Sequence, residues 1–360
     1  MKSISKKPKV FVGMSGGVDS SVSALLLKLA GYDVTGVFIK VWQPENGECT
    51  WKDERRDAMR VAAALDITFL TFDFAERYKK DVVDYMINEY KLGRTPNPDV
   101  MCNRQIKFGS FLDEALKQGA DFIATGHYAQ NIVTLEASEM HEGKDPNKDQ
   151  SYFLWTLNQK DLKHTLFPIG HLLKPEVRKL AEKYKLPVFD KKDSQGICFL
   201  GHVDMKEFLK EYIQTEKGAV LDAHGAIIGE HDGSLLYTIG ERHGFRLTIT
   251  RPDDTPHYIV AKDLEKNIIT VVPQDIFKKG DYMPKTVELT SVNWTITEPD
   301  LTKSYEARSR YRQQKQTCRI SKGNSGQYSV SFDQPQTALT PGQSIVIYSG
   351  SKCIGGGILS

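Results

Sequence analysis

No stretch of eighteen consecutive apolar residues occurs anywhere in the 360-residue chain, so a membrane-spanning helix is not expected. The N-terminus, MKSISKKPKV, is basic but passes straight into a strand-like run. It lacks the apolar core and small-residue cleavage site of a secretion signal, which points to the cytosol. Cysteine is scarce and odd in number: Cys49, Cys102, Cys198, Cys318 and Cys353, with no CxxC pair and no metal-ligand spacing. That pattern argues against a disulfide framework or a structural zinc site. Charge of one sign is also missing, since 48 basic residues stand against 46 acidic ones for a net +2. The global balance therefore selects no class of partner, and only local patches can. No internal repeat recurs at a fixed period.

The length exceeds what one core usually fills, so two or three domains are expected. Strand and helix signals alternate through the first third. Val10–Val12, Val34–Ile39, Ile67–Phe72 and Phe122–Ala124 read as strands. Residues 20–30, 53–65, 81–91 and 108–117 read as helices, the first closed by Gly31. Such alternation predicts a parallel sheet covered by helices. Residues 135–150 are polar and read as a surface loop. Beyond about residue 205 short β-like runs dominate, including Tyr258–Ala261 and Ile268–Val272. From about residue 280 they become denser: Val287–Val292, Cys318–Ile320, Tyr328–Phe332, Ser344–Tyr348 and Cys353–Leu359. Their spacing suggests a small barrel or sandwich. The expected plan is an α/β domain with a parallel sheet over 1–205, a small central domain over 206–278 and a β domain over 279–360.

The stretch GMSGGVDSS, Gly13 to Ser21, lies between the first strand and the first helix. Ligands of open α/β sheets bind at that edge. Gly16 and Gly17 allow a sharp turn and close backbone approach. Ser15, Ser20 and Ser21 bring hydroxyl groups, and a helix N-terminus favours an anion. This is phosphate-binding chemistry. It is not a Walker A loop, because the terminal lysine is missing, nor a GxGxxG turn. The plain alternative is a tight strand–helix turn capped by Asp and Ser.

Two cysteines are set apart by their neighbours. Cys102 follows Pro96 and Pro98 and precedes Arg104 and Lys107; Cys198 follows Lys191, Lys192 and Gly196. Both read as exposed, locally basic loop positions, where a thiolate is favoured. Cys49, Cys318 and Cys353 read as small buried hydrophobes. A third feature is basic. Residues 301–325 carry Lys303, Arg308, Arg310, Arg312, Lys315, Arg319 and Lys322 against Glu306, with Tyr305 and Tyr311 interleaved. That composition suits a splayed RNA loop, or merely a solvated strand face.

The string SGGVDSS resembles the PP-loop of ATP pyrophosphatases. Taken with GRTPNPDVMCN, ATGHYA, NKDQSYFL, DSQGICF, SRYRQ and PGQSIVIY, in that order, the whole chain resembles the MnmA family of tRNA-specific 2-thiouridylases. The resemblance implies a PP-loop domain, a small central domain and a C-terminal β-barrel. It implies ATP and Mg²⁺ as cofactors, with Gly13, Met14, Ser15, Gly16, Gly17, Val18, Asp19, Ser20, Ile39 and Gly126 holding ATP and Asp19 serving Mg²⁺. It implies sulfur transfer to C2 of uridine 34 in tRNAs for Lys, Glu and Gln. Cys198 would carry a persulfide supplied by a cysteine desulfurase or sulfur-relay protein, and Cys102 would be its nucleophilic partner. Asn97, Pro98 and Asp99 would meet the target base, with Asp99 acting as acid or base. His127, Lys148, Asp149, Gln150, Arg310, Tyr311 and Gln343 would contact tRNA. CNRQIKF and DSQGICF stand where the family commonly has CNKEIKF and DSTGICF. Three other readings remain: a different PP-loop ligase, a non-catalytic tRNA binder, and a redox sensor built on Cys102 and Cys198.

Overall fold

The structure is a computed structural model, and it describes residues 7–44, 51–193, 204–248, 255–280, 282–337 and 339–360. Cys49 and Cys198 lie outside the described residues.

The first sheet is parallel. β1 (Lys9–Gly13) pairs with β2 (Asp33–Lys40) on one side and β4 (Phe122–Ala124) on the other; β3 (Thr68–Asp73) and β7 (Thr165–Leu166) complete the order β3-β2-β1-β4-β7. The centre of β1 is fully buried, as a continuous apolar strand covered on both faces should be. After β1 the chain winds outward through β2 and β3, then returns to the far side of β1 as β4. The crevice between the carboxyl ends of β1 and β4 is thus the topological switch point, where α/β sheets bind ligands. Helix α1 (Val18–Leu29) packs Val18, Val22 and Leu25 against β1 and β2, and Gly31, at φ +89°, closes its end.

The helical run that follows β3 starts earlier than the sequence suggests, at Ala75, and ends at Lys91 as expected. The helix expected from residue 108 starts at Pro98 instead. Helix α2 (Pro98–Cys102) passes into a π-helix over Asn103–Ser110 and then into α-helix again over Phe111–Lys117. Proline at the first helical position removes only an N–H that the helix would leave unbonded anyway.

Residues 135–150 are not all loop. β5 (Ala129–Val133) and β6 (Ser138–Glu142) form an antiparallel hairpin. On β6 Ser138 and Met140 are buried while Glu139 and His141 are not, but β5 leaves the apolar Ile132 and Val133 exposed, which hid the alternation. β6 joins the C-terminal sheet through His141 and Lys352.

The central sheet has the order β10-β9-β8-β12-β11, where β8 is Gly218–Leu221, β9 Ile227–His231, β10 Arg246–Leu247, β11 His257–Asp263 and β12 Ile268–Pro273. Its Val220, Ile259 and Val271 share a core with Tyr78, Val82, Met86, Met101 and Cys102. The C-terminal strands are β13 (Thr286–Trp294), β14 (Ser304–Arg308), β15 (Gln316–Lys322), β16 (Tyr328–Phe332), β17 (Ser344–Ser349) and β18 (Lys352–Leu359). β13 pairs with both β16 and β18, which closes a six-stranded antiparallel barrel without open edges. No helix among the described residues is long and apolar enough to cross a membrane.

Candidate active site

The loop after β1 folds around its own hydroxyls. The Ser15 N–H and side chain both approach Ser20 Oγ, at 3.3 and 3.4 Å, while Ser20 and Ser21 donate to the Gly17 carbonyl at 3.2 and 2.7 Å. Gly17 occupies the N-cap of α1 with no side-chain capping bond, so the first-turn N–H groups remain available to a ligand. Gly16 has φ +73°, and a Cβ there would meet the Glu54 carbonyl oxygen at 2.3 Å. Glycine is required twice over. Gly126, at the end of β4, packs its Cα face against Asp19 and Ser20, where a Cβ would come within 2.7 Å of the Ser20 nitrogen. Its bareness therefore serves the seating of α1. Ile39 is half-buried at the end of β2.

The loop has no lysine of its own, but lysines reach it from distant segments. Lys174 Nζ lies 2.7 and 2.8 Å from the two carboxylate oxygens of Asp19 and 2.8 Å from Asp193. Tyr128 donates its hydroxyl to Asp19 at 2.9 Å. Burial, and then the Asp19 charge, push the Tyr128 phenol well above its usual range, so it stays a donor. Lys148 and Arg178 also converge on Asp193, at 2.7 and 2.6 Å. Burial raises the Asp193 carboxyl, yet the bonds from Lys148 and Lys174 outweigh it and hold the group well below the ordinary carboxylate range. Lys191 donates to the Gly16 carbonyl at 3.1 Å and to Asp57 at 2.8 Å. Lys174, Asp193, Tyr128 and the role of Lys191 were not legible. LLKPEVRK reads locally as no more than a helix start, and Lys174 lies 155 residues from Asp19. Among the described residues no three His, Cys, Asp or Glu side chains gather as metal ligands. A hard divalent ion here would take Asp19 and complete its shell from phosphate and water, as Mg²⁺ commonly does, so the donor set fits.

The second candidate segment precedes and contains α2. Asn97 is its N-cap, and its side-chain oxygen accepts from the Asp99 and Val100 N–H groups at 3.2 and 3.3 Å. Pro98 takes the first helical position, and Asp99 is half-buried in the first turn. Cys102 corrects the expectation of an exposed loop. It is 2% exposed, at the end of α2 and not at a helix start, packed with Met101 and Ile106 against the central sheet. Cys102 and Ile106, four residues apart on one helical face, were masked by the flanking Arg104 and Lys107. Burial pushes the Cys318 and Cys353 thiols up to about 12, so both stay inert.

All three parts of the chain meet at Thr95. Its N–H donates to the Pro341 carbonyl at 2.8 Å, its carbonyl accepts from Gln343 at 2.7 Å, and its hydroxyl lies 3.1 Å from that of Thr238. Lys262 on β11 donates to the Gly93 and Tyr237 carbonyls at 2.9 and 2.7 Å; burial brings its ammonium pKa down to about 8. Arg310 reaches the Ile239 carbonyl at 3.4 Å.

Several residues expected on an RNA face are elsewhere. Asp149 is buried and holds the Gly143 and Ser151 N–H groups together with the Arg308 guanidinium, itself buried. A carboxylate needed to neutralise a buried arginine is not available to RNA. His127 is buried between Phe108 and Phe167, and its Nδ1 lies 2.8 Å from the Thr125 hydroxyl. Burial, then the Lys107 charge, hold its pKa well below 6.5, so it is a neutral spacer. Gln150 accepts from the Tyr128 N–H at 3.0 Å, and Lys148 is engaged with Asp193. The basic stretch is largely self-neutralised: Lys303 pairs with Asp300, Lys315 with Glu142 and Glu306, and Lys322 with Glu298. Tyr305 is core, and Tyr311 packs on Phe153 at 4.8 Å. Arg310, Arg312 and Arg319 stay exposed.

A parallel sheet with an uncapped, hydroxyl-lined helix start at its switch point, followed by a closed barrel, defines a PP-loop nucleotide-binding protein carrying a β-barrel. Residues 8–202 match the family model described as tRNA methyl transferase HUP domain, 206–273 the tRNA methyl transferase PRC-barrel domain, and 285–359 the aminomethyltransferase beta-barrel domain. The tRNA-specific 2-thiouridylase MnmA of Nitrosomonas europaea is 44% identical over 98% of this chain and 98% of its own. That of Streptococcus thermophilus is 46% identical over 98% of this chain and 95% of its own. The chain belongs to the tRNA-specific 2-thiouridylase family. Among solved structures, the U34-tRNA thiolase NcsA from Methanococcus maripaludis matches at TM-score 0.36 and 18% identity, covering 57% of this chain and 62% of that one, too slight a likeness to argue from.

Proposed function

We propose that this protein is a tRNA-uridine 2-sulfurtransferase that uses ATP to replace the C2 oxygen of uridine 34 with sulfur in tRNAs for Lys, Glu and Gln. The observation that carries this reading is the full-length identity to 2-thiouridylases, which spans the loop, the NPD segment and the barrel together.

The residues divide the chemistry as follows. The N–H groups of Gly17 to Ser20 and the hydroxyls of Ser15 and Ser20 hold the pyrophosphate end of ATP. The uridine O2 attacks the α-phosphorus and pyrophosphate leaves. Bound Mg²⁺, held through Asp19, would neutralise charge on the departing pyrophosphate. Asn97 and Asp99 face the base, Asp99 as its acid or base. A persulfide on Cys198, loaded by a cysteine desulfurase or relay protein, attacks C2 through its outer sulfur, and AMP departs with the former O2. The Cys102 thiolate then attacks Cys198 Sγ. The sulfur–sulfur bond breaks, C2=S forms, and a Cys102–Cys198 disulfide remains for an external thiol to reduce. In the structure described here Cys102 is buried, so this step requires α2 to expose it on loading. Arg310 and Tyr311 on the barrel are the residues of this scheme that would meet tRNA.

The test is nucleoside mass spectrometry of unmodified tRNA-Glu incubated with the protein, Mg-ATP, cysteine and a cysteine desulfurase. Wild type should yield 2-thiouridine with AMP and pyrophosphate, and Cys198→Ser should not. AMP and pyrophosphate without thiouridine would mean that a dedicated relay protein is needed to load Cys198 or that the substrate is another one. Absence of every product would sink the catalytic reading.

A further inference from the structure

We infer that Lys174 is the pyrophosphate-binding ammonium of this site, delivered from helix α3 (Lys174–Lys183) to a phosphate loop that carries no lysine. The inference rests on the nucleotide reading above and adds a residue and a role to it.

The placement of Lys174 breaks two local rules. It opens a helix, where the dipole disfavours a cation. It is also 8% exposed, although lysine is rarely buried unless paired. A sequence that violates local preferences in one spot usually does so at a working site. The helix start is otherwise well specified, since Glu176 accepts from the Leu173 N–H at 2.6 Å and Pro175 sits in the first turn. The backbone N–H of Lys174 is further fixed by Asp145 at 2.9 Å. The stem is thus anchored and the ammonium is aimed.

Its target is the first turn of α1, the end that lacks a side-chain cap. Nζ contacts both oxygens of Asp19 there and lies 5.9 Å from the Tyr128 ring centre. A Walker loop solves the same problem with a lysine inside the loop acting as a flexible point charge. Here the charge comes from outside, and the two carboxylates hold it while no anion is present. A lysine stem has four rotatable carbons, so the ammonium can move from Asp19 and Asp193 to a phosphate oxygen without moving the backbone. Asp193 would then keep Lys148 and Arg178 as partners, so its charge stays compensated. Pyrophosphate is the ligand class this favours. AMP alone would not reach the ammonium, because the loop presents it beside the N–H groups that hold the β and γ phosphates.

The experiment is calorimetric titration of the full chain with magnesium pyrophosphate and, separately, with AMP. Lys174→Met should weaken pyrophosphate about ten- to a hundredfold, the worth of one charge-assisted bond, and leave AMP unchanged. Lys174→Arg should recover part of the loss. Asp193→Asn, which frees the ammonium from one carboxylate, should tighten pyrophosphate and decides the matter if Lys174→Met does not fold. Equal loss for both ligands, or no loss for pyrophosphate, overturns the role of Lys174. So does weaker pyrophosphate binding in Asp193→Asn. A wild type that binds neither ligand overturns the nucleotide reading, and this inference with it.

Discussion

Gln343, on the barrel, donates its side-chain amide to the Thr95 carbonyl at 2.7 Å, two residues before the cap of the helix that ends in Cys102. The bond makes a residue expected at the tRNA surface part of the scaffold for the NPD segment. Gly342 explains why the approach is so close: its φ is +91°, and a Cβ there would fall within 2.9 Å of Thr95 backbone atoms. Gln343→Ala should therefore lower kcat for thiolation more than it weakens tRNA binding. The stability cost should be about 1 kcal/mol, the usual net worth of a hydrogen bond. Single-turnover rates set beside filter-binding affinities check this. A pure affinity loss with kcat intact would return Gln343 to a simple contact role.

Gly16→Ala is expected to abolish nucleotide binding with only local damage to the fold. The new methyl would collide with the Glu54 carbonyl in a backbone region that alanine rarely adopts. Strain of this kind costs about 1–3 kcal/mol. The loop would relieve it by shifting, which moves the very N–H groups that meet phosphate. Titration with ATP analogues, read against thermal melting, separates the two effects. Retained nucleotide affinity would show that the loop geometry is not what holds the ligand.

How much of this was legible depended on whether a signal is local. The parallel sheet, the barrel strands and the phosphate loop are written in short windows of period and glycine, and Val10–Val12, Phe122–Ala124 and Tyr328–Phe332 lie where the pattern places them. What was missed depends on contacts between distant segments. Lys174 and Asp193 acquire meaning only once the fold sets them beside Asp19. The burial of Cys102 depends on the central sheet, and that of Asp149 on Arg308 of the barrel. The β5–β6 hairpin joins the barrel through β18, and β5 leaves Ile132 and Val133 exposed beside Gln130 and Asn131, so it carries no strong alternation of its own.

Arg308 and Asp149 predict a fold phenotype that would be mistaken for an RNA phenotype. The guanidinium also meets the Ser151 and Tyr348 hydroxyls, at 3.2 and 2.7 Å, inside the seam between hairpin and barrel. Removing one member of a buried pair strands the other and costs about 3–5 kcal/mol. Arg308→Met should lower the urea midpoint sharply, and Asp149→Asn combined with it should restore part of the loss. If Arg308→Met melts like wild type yet binds tRNA poorly, Arg308 acts on RNA directly and the seam assignment fails.

His127 gives the protein a pH dependence whose sign is fixed by burial. Its folded pKa lies well below 6.5, so the folded protein refuses a proton that the unfolded chain takes up near its ordinary value. Stability should therefore be full above about pH 6.5 and fall below it, by up to about 1.4 kcal/mol per pH unit. His231, also lowered chiefly by burial, adds to the same slope. Asp193 acts in a separate window: its depressed carboxyl contributes stability that is lost only as pH falls below the ordinary carboxylate value near 3.8. Urea midpoints at pH 7.5, 6.5 and 5.5 test the histidine. His127→Gln should flatten the lower part of the profile while keeping a side chain able to bond Thr125. An unchanged slope in that variant would mean that the ring is reached by water and protonates as freely folded as unfolded.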